Sequence, residues 1–155
     1  MRDHHYETTI AWTGNTGEGT ATYRSYERNF TLTAPGKPEI AGSSDAAFRG
    51  DASRYNPEEM LLAALSSCHM LAYLHLCAVN EVVVVGYEDH AIGTMQEREG
   101  GSGAFTRVQL TPKVTISADS EADTAAALHH KAHELCFIAN SVNFPVENAP
   151  VIVKP

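Results

Sequence analysis

The sequence is poor in positive charge: it has 11 lysines and arginines against 19 aspartates and glutamates, a net charge of −8. A nucleic-acid-binding domain needs a basic surface, so this balance argues against a nucleic-acid partner. The chain also has few glycines and prolines, 11 and 7, while 43% of its 155 residues are hydrophobic. That composition excludes a disordered chain, and we expect residues 1–155 to form one domain.

Cysteine is rare as well, with three residues in the chain. A small secreted protein that is held together by disulfides carries a denser cysteine framework. The first ten residues, MRDHHYETTI, lack the apolar core of a secretory signal peptide. We therefore expect a cytoplasmic location, in which the thiols are structural or catalytic.

Against this background, one long apolar stretch follows Asn56 and predicts a helix to residue 80. Asn56 can cap it, Pro57 suits its first position, and Glu59 stands where a capping box needs a carboxylate. From residue 60 to residue 78 the helix is apolar on nearly every side, which is typical of a buried helix. Two histidines and two serines in its middle favour a core or subunit-interface helix over a membrane span.

Strands are predicted on both sides of this helix, where β-branched and aromatic residues alternate with polar ones. They cover residues 6–13, 20–33, 82–85, 87–98, 104–116 and 150–153, with a turn at residues 100–103. A second helix is predicted over residues 121–139, where Ser120 and Asp123 are placed for a capping box. The resulting order of elements predicts an α+β fold.

Two of the cysteines lie on the two predicted helices. Cys68 lies near the centre of the first helix and Cys136 near the end of the second. The two apolar helices of a small domain should pack on each other, which could bring these thiols within disulfide reach, Cα atoms ~4.4–6.8 Å apart. The alternative is a pair of buried, inert cysteines, and Cys77 is interpreted as a packing residue in either case.

A thiol that acts as a nucleophile has to ionise, and a mid-helix thiol gains little from the helix dipole. Arg49 and Arg54 lie on the loop before the helix and could supply the cation, and Glu58 could hold such an arginine. Ten residues separate Glu58 from Cys68, about 15 Å of helix, so an extended arginine or a partner subunit must close the gap. Cys136 lies at the C-terminal end of its predicted helix, where the helix dipole disfavours an anion. Cys68 is therefore the better nucleophile.

The histidines open a further alternative. His129, His133 and Cys136 fall on one helical face at spacings that can bind zinc or another transition metal. A structural zinc site needs four ligands, and the sequence presents no fourth one. His69 and His75 are interpreted as satisfied core histidines.

Two motifs together resemble the OsmC/Ohr superfamily, the osmotically inducible and organic hydroperoxide resistance proteins. The first is NPEE at residues 56–59, followed by an apolar helix into SSCH at residues 66–69, and the second is AHELC at residues 132–136. The resemblance implies an α+β fold with antiparallel sheets and two main helices, the first central and buried, in an intertwined homodimer with sites at its interface. It also implies a cofactor-free, thiol-dependent peroxidase.

The resemblance assigns roles to particular residues. It places the reactive cysteine at Cys68, the resolving cysteine at Cys136 and the motif glutamate at Glu58. The partner of this glutamate is an arginine from the preceding region, for which Arg49 is the first candidate and Arg54 the second. The chain departs from the family at position 137, where a phenylalanine stands in place of a frequent proline.

These observations predict peroxiredoxin-like reduction of organic hydroperoxides through the Cys68/Cys136 pair, in oxidative-stress defence. An external dithiol would regenerate the pair, and no cofactor is expected. The alternatives are a non-catalytic OsmC-like module that binds a small apolar ligand at the dimer interface, and the metal site described above.

Overall fold

A computed structural model describes residues 1–155. The predicted α+β class is confirmed: two helices and nine strands follow one another in the expected order. The chain divides into two compact units, residues 1–60 and residues 61–155, which are described separately below. A single domain over residues 1–155 stays a prediction.

The first unit contains one antiparallel sheet of three short strands. They are β1 (Thr9–Trp12), β2 (Phe30–Thr33) and β3 (Ile40–Gly42), paired in that order. The third strand was not predicted.

Most of the predicted strand over residues 20–33 is not a strand, because only β2 forms one and Tyr26 makes a single bridge to Asn15. The guanidinium of Arg28 lies between the rings of Tyr23 and Tyr26, 4.4 and 3.9 Å from their centroids, and donates to both of their carbonyls. The side-chain oxygen of Asn15 accepts two further backbone N–H groups in the preceding turn. Local bonds of this kind compete with strand pairing.

Helix α1 (Pro57–Val79) begins where the capping box predicts it. The Glu59 N–H donates to Oδ1 of Asn56 at 2.8 Å, and the Asn56 N–H donates to Oε2 of Glu59 at 3.1 Å. These reciprocal bonds satisfy donors that the first turn would otherwise leave free. By length and composition α1 could also cross a membrane, a test that the core helix of a soluble protein passes equally.

Burial of α1 is one-sided in the single chain, which is compatible with the predicted core or subunit-interface helix. Its buried face consists of Leu65, His69, Tyr73, Leu76 and Cys77. Its exposed face carries Ala63, Ser67, Leu71, His75 and Ala78. The interpretation of His75 as a core residue was therefore wrong, whereas that of Cys77 as a packing residue is confirmed.

The second unit contains two mixed sheets of three strands. One has the order β4 (Val84–Asp89), β7 (Pro112–Ile116), β9 (Val151–Val153), and the other β5 (Ile92–Glu97), β6 (Gly103–Leu110), β8 (Val146–Asn148). The pairs β4–β7 and β5–β6 are antiparallel, as expected, whereas β8 and β9 join their sheets in parallel. Residues 98–102 form the turn that connects β5 to β6, so the predicted turn at residues 100–103 is confirmed except that Gly103 begins β6.

The predicted strands over residues 87–98 and 104–116 each break in two. The first break follows Asp89 and the second lies at Thr111, and hydrogen bonds join the two. The Thr111 N–H donates to Oδ1 of Asp89 at 2.7 Å, and the Thr111 hydroxyl donates to the carbonyl of His90 at 2.6 Å. These bonds replace sheet pairing at Thr111, so that β6 and β7 enter different sheets.

Helix α2 (Ala122–Leu135) is shorter than predicted, and its predicted capping box is wrong. Ser120 is buried and its Oγ accepts the N–H of Val83 at 2.8 Å, so it caps nothing in α2. Residue Glu121 takes the cap position without a side-chain bond. Buried residues of α1, α2 and the β4–β7–β9 sheet form one core cluster.

Candidate active site

Cys68 lies in the middle of α1, at the border between the buried and exposed faces of the helix. Its side chain is half-buried. The residue before it, Ser67, is exposed and donates its hydroxyl to the carbonyl of Ala63 at 2.7 Å, whereas the residue after it, His69, is buried. The thiol is thus part of the packed helix and still within reach of a small molecule.

Cys136 is the first residue after α2, where the chain leaves the helix with φ −72° and ψ 106°. Its side chain is 1% exposed. The Cys136 N–H donates to the carbonyl of His133 at 3.3 Å, and the Ala139 N–H donates to the Cys136 Sγ at 3.4 Å. These bonds hold the second thiol at the end of the helix.

The thiol of Cys68 lies close enough to that of Cys136 to raise its pKa, and no disulfide joins them. Burial raises the pKa of Cys136 to about 11; the Ala139 N–H acts in the opposite direction, and contact with Cys68 raises it further. Cys136 is therefore a neutral thiol at pH 7. The structure brings together the two cysteines that the sequence analysis singled out, while their roles in a reaction stay predictions.

A groove of about 640 Å³ runs along the exposed face of α1 beside Cys68. It is lined by Ala64, Ser67, Cys68, Leu71, Ala72, His75, Leu135, Phe137 and Ile138. Most of these side chains are apolar, and Phe137 is 74% exposed. Apolar pockets with few polar groups are the usual sites of small organic ligands. The groove can thus hold an apolar group next to the Cys68 thiol.

A pair of buried histidines joins α1 to α2, and one of them directly follows Cys68. Nε2 of His69 and Nδ1 of His129 lie 2.9 Å apart and share a hydrogen bond. Both side chains are 1% exposed, and Nδ1 of His69 and Nε2 of His129 have no partner. Burial lowers the pKa of both residues, that of His129 to about 4, with a second contribution from His133 at His69 and from His69 at His129.

Tyr73 adds a second connection between the two helices. Its ring stacks on that of His129 at a centroid distance of 3.8 Å, and its hydroxyl donates to the carbonyl of Ala125 at 3.0 Å. One turn forward on α1, from His69 to Tyr73, corresponds to one turn back on α2, from His129 to Ala125. The two helices therefore run antiparallel where they meet.

The predicted arginine and glutamate belong to the first unit. Arg49 is exposed, has a left-handed backbone (φ 64°) and lies 5.8 Å from the ring centroid of Tyr23, with no carboxylate in salt-bridge range. Arg54 instead lies 3.5 Å from a carboxylate oxygen of Asp51. Glu58 is half-buried in the first turn of α1. The roles of Arg49 and Glu58 stay predictions.

The candidate metal ligands do not assemble into a site. The ring of His129 is turned into the core, where it bonds His69, and Cys136 lies outside the helix. No group of three or more His, Cys, Asp or Glu side chains is placed to hold a metal ion. The interpretation of His129, His133 and Cys136 as a metal site is therefore wrong.

Sequence analysis missed one acidic residue that bonds to α1. Asp89, at the end of β4, accepts the hydroxyl of Ser66 at 2.5 Å and the N–H of Thr111 at 2.7 Å. It thus ties α1, two residues before Cys68, to the point where the strands break. The available signal was a carboxylate inside a segment that otherwise alternates as a strand.

Comparison with known proteins identifies the family. The family described as OsmC-like protein matches residues 50–148, which include all of α1 and all of α2. The solved structure of an OsmC-like protein of unknown function from Vibrio cholerae is 32% identical, with a TM-score of 0.87 over 96% of this chain and 100% of that one. The chain belongs to the OsmC-like family, within the OsmC/Ohr superfamily, as the two motifs predict.

Two further relatives extend the comparison. The uncharacterized protein YmaD of Bacillus subtilis is 28% identical over 156 residues, covering 95% of this chain and 92% of YmaD. An organic hydroperoxide resistance protein from Elizabethkingia anophelis is 16% identical, with a TM-score of 0.70 over 99% of both chains. At that identity the last likeness concerns the fold alone.

The buried histidines generate a prediction for acid stability. An unfolded histidine titrates near 6.5, whereas folded His129 resists protonation down to about 4. Between these values the unfolded chain binds a proton that the folded chain does not, so the free energy of unfolding should fall as pH falls, by up to about 3 kcal/mol from His129. Urea unfolding from about pH 7 to about pH 4 measures it. The exposed His130→Gln variant serves as the control, and a flat profile between pH 7 and pH 5 would contradict the prediction.

Proposed function

We propose that the protein reduces organic hydroperoxides with the Cys68/Cys136 pair, in oxidative-stress defence. The observation that carries the proposal is the closeness of a half-buried thiol, beside an apolar groove, to a second, fully buried thiol. Membership of the OsmC/Ohr superfamily, which includes organic hydroperoxide resistance proteins, supports it.

The chemistry follows in three balanced steps. The Cys68 thiolate attacks the outer oxygen of the hydroperoxide, the O–O bond breaks, and a sulfenic acid and an alcohol form once the alkoxide takes a proton. The Cys136 sulfur then displaces hydroxide from the sulfenic acid, its proton completes a water molecule, and a disulfide results. An external dithiol reduces this disulfide by thiol exchange and is itself oxidised. No step needs a cofactor, and the reductant points to a reducing, cytoplasmic compartment.

The assignment of roles to the two thiols depends on their surroundings. With a pKa of about 11, Cys136 is hardly ionised at neutral pH and is a poor attacking group. It lies against Cys68, which suits the resolving step. Cys68 borders the groove, so an apolar substituent of the peroxide can lie along α1 while the peroxide reaches the thiol.

A cation has to favour the Cys68 thiolate, and we propose Arg49 for this role, oriented by Glu58. An arginine keeps its charge at every working pH. Arg49 has no carboxylate in salt-bridge range, whereas Arg54 already pairs with Asp51. That difference supports the choice of Arg49 over Arg54.

We further propose that the protein is an obligate homodimer. The exposed face of α1 is largely apolar, and Leu71, Val79, Val83 and Val85 are each more than half exposed. Large exposed apolar surfaces mark interaction sites, and obligate interfaces bury roughly 2,000–5,000 Å².

A second candidate function is a non-catalytic module that binds a small apolar ligand. The apolar lining of the groove favours it. Titration of the reactive thiols separates the two, because a binding module would leave Cys68 no more reactive than an ordinary thiol.

Substituting each cysteine should give unequal results. Cys68→Ser should abolish peroxide consumption, because it removes the attacking sulfur. Cys136→Ser should consume about one equivalent and stop as a sulfenic acid, because nothing resolves it. Peroxide consumption and intact mass measure both outcomes, with Cys77→Ala as the control that keeps turnover. Full activity in both serine variants would refute a two-cysteine mechanism.

The arginine assignment has its own test. Arg49→Ala should slow peroxide reduction at least about tenfold at neutral pH, because it removes the cation proposed to favour the Cys68 thiolate. Arg54→Ala, the matched control, should do less. Initial rates of peroxide reduction measure both variants. A slower rate in Arg54→Ala alone would transfer the role to Arg54, and no change in either variant would exclude arginine activation.

The dimer is tested by light scattering at micromolar concentration. The protein should scatter as a dimer, and Leu71→Glu should weaken association because it places a charge on the exposed face of α1. Ala127→Glu, on an exposed position of α2, is the control. A stable, folded monomer of the unaltered protein would contradict the proposal.

A further inference from the structure

The hydrogen bond between His69 and His129 has no part in the reaction proposed above. Both rings are 1% exposed, and the ring nitrogen that each does not use in the bond has no partner. A neutral imidazole carries one N–H and one lone pair. Whichever ring donates, one N–H and one lone pair are therefore left unpaired in the core.

Such a pair is costly to bury. An unpaired buried donor loses its bonds to water, whereas two apolar side chains of similar shape could fill the same space without that loss. Packing alone therefore gives no reason for histidines at these two positions. A directional contact does, because apolar packing tolerates sliding that a 2.9 Å hydrogen bond does not.

The hydrogen bond between His69 and His129 lies near the two thiols along the helix pair. His69 directly follows Cys68, and His129 precedes Cys136 by seven residues, about two helical turns or roughly 10 Å. The other polar contact between α1 and α2 is the hydrogen bond from the Tyr73 hydroxyl to the carbonyl of Ala125. It lies one turn farther from the thiols. The histidine bond thus stands between that contact and the thiol pair.

We infer that His69 and His129 are positioning residues, whose hydrogen bond sets α2 against α1 so that the thiols of Cys68 and Cys136 meet. A disulfide tolerates only a narrow range of separations and angles. A small slide of α2 would therefore remove Cys136 from reach while the core stays packed. The inference concerns the thiol pair of the proposed function, but it can be tested without a peroxide.

The readout is the effective concentration of one thiol at the other. In a buffer of reduced and oxidised glutathione, Cys68 forms a mixed disulfide with glutathione. The Cys136 thiol then displaces glutathione thiol, which leaves the intrachain disulfide and no net change in protons. The ratio of these two species, multiplied by the concentration of reduced glutathione, gives the effective concentration. Peptide mapping identifies each disulfide and excludes Cys77.

Three variants separate positioning from packing. His69→Leu/His129→Leu removes the bond and keeps the site apolar. In His69→Gln/His129→Asn, the amides can take the places of Nε2 and Nδ1, and so restore a hydrogen bond between the helices. His130→Gln, an exposed histidine next to His129, is the control. Urea unfolding verifies that each variant is folded.

The leucine pair should lower the effective concentration by about tenfold or more, because the thiols lose their alignment. The amide pair should restore it to within about threefold, and His130→Gln should leave it unchanged. A folded leucine pair whose effective concentration stays within about twofold of the unaltered protein would overturn the inference. Should the leucine pair not fold, His129→Leu alone replaces it, with the same two outcomes.

Discussion

The packing of α1 against α2 is the contact on which the candidate site depends. Three contacts follow one another along the helix pair: Tyr73 with Ala125, His69 with His129, and Cys68 with Cys136. The buried face of α1 packs into the core, and the last contact lies beyond the end of α2. The meeting of the thiols is therefore a property of how two helices pack, and burial at the same place keeps Cys136 protonated.

Much of the fold could be predicted because it depends on local chemistry. The capping box at Asn56 and Glu59 gives the start of α1, and the glycines at residues 100 and 101, both with positive φ, give the turn of one hairpin. The local predictions that failed concern residues whose hydrogen-bond partners are distant in the sequence. Ser120 looks like a helix cap but bonds Val83, and Thr111 looks like part of a strand but bonds Asp89. Neither partner is visible from the local sequence.

The candidate site divides in the same way. Two apolar helices in a small chain predict that Cys68 and Cys136 lie close together, and their motifs resemble the family to which the chain belongs. The period of α2 could not distinguish a metal-facing His129 from one that is turned into the core. The apolar character of α1 also could not show which of its faces this chain buries. One face, on which His75 lies, is left exposed.

The central claim is that the thiol pair forms one redox unit. One equivalent of an organic hydroperoxide, added to the reduced protein, tests it most directly, with peptide mapping by mass spectrometry under non-reducing conditions. The account predicts a disulfide between Cys68 and Cys136 within one chain, the loss of two hydrogens, and a reduced Cys77. Peroxide that remains unconsumed with all three thiols reduced, or a disulfide that involves Cys77, would contradict it.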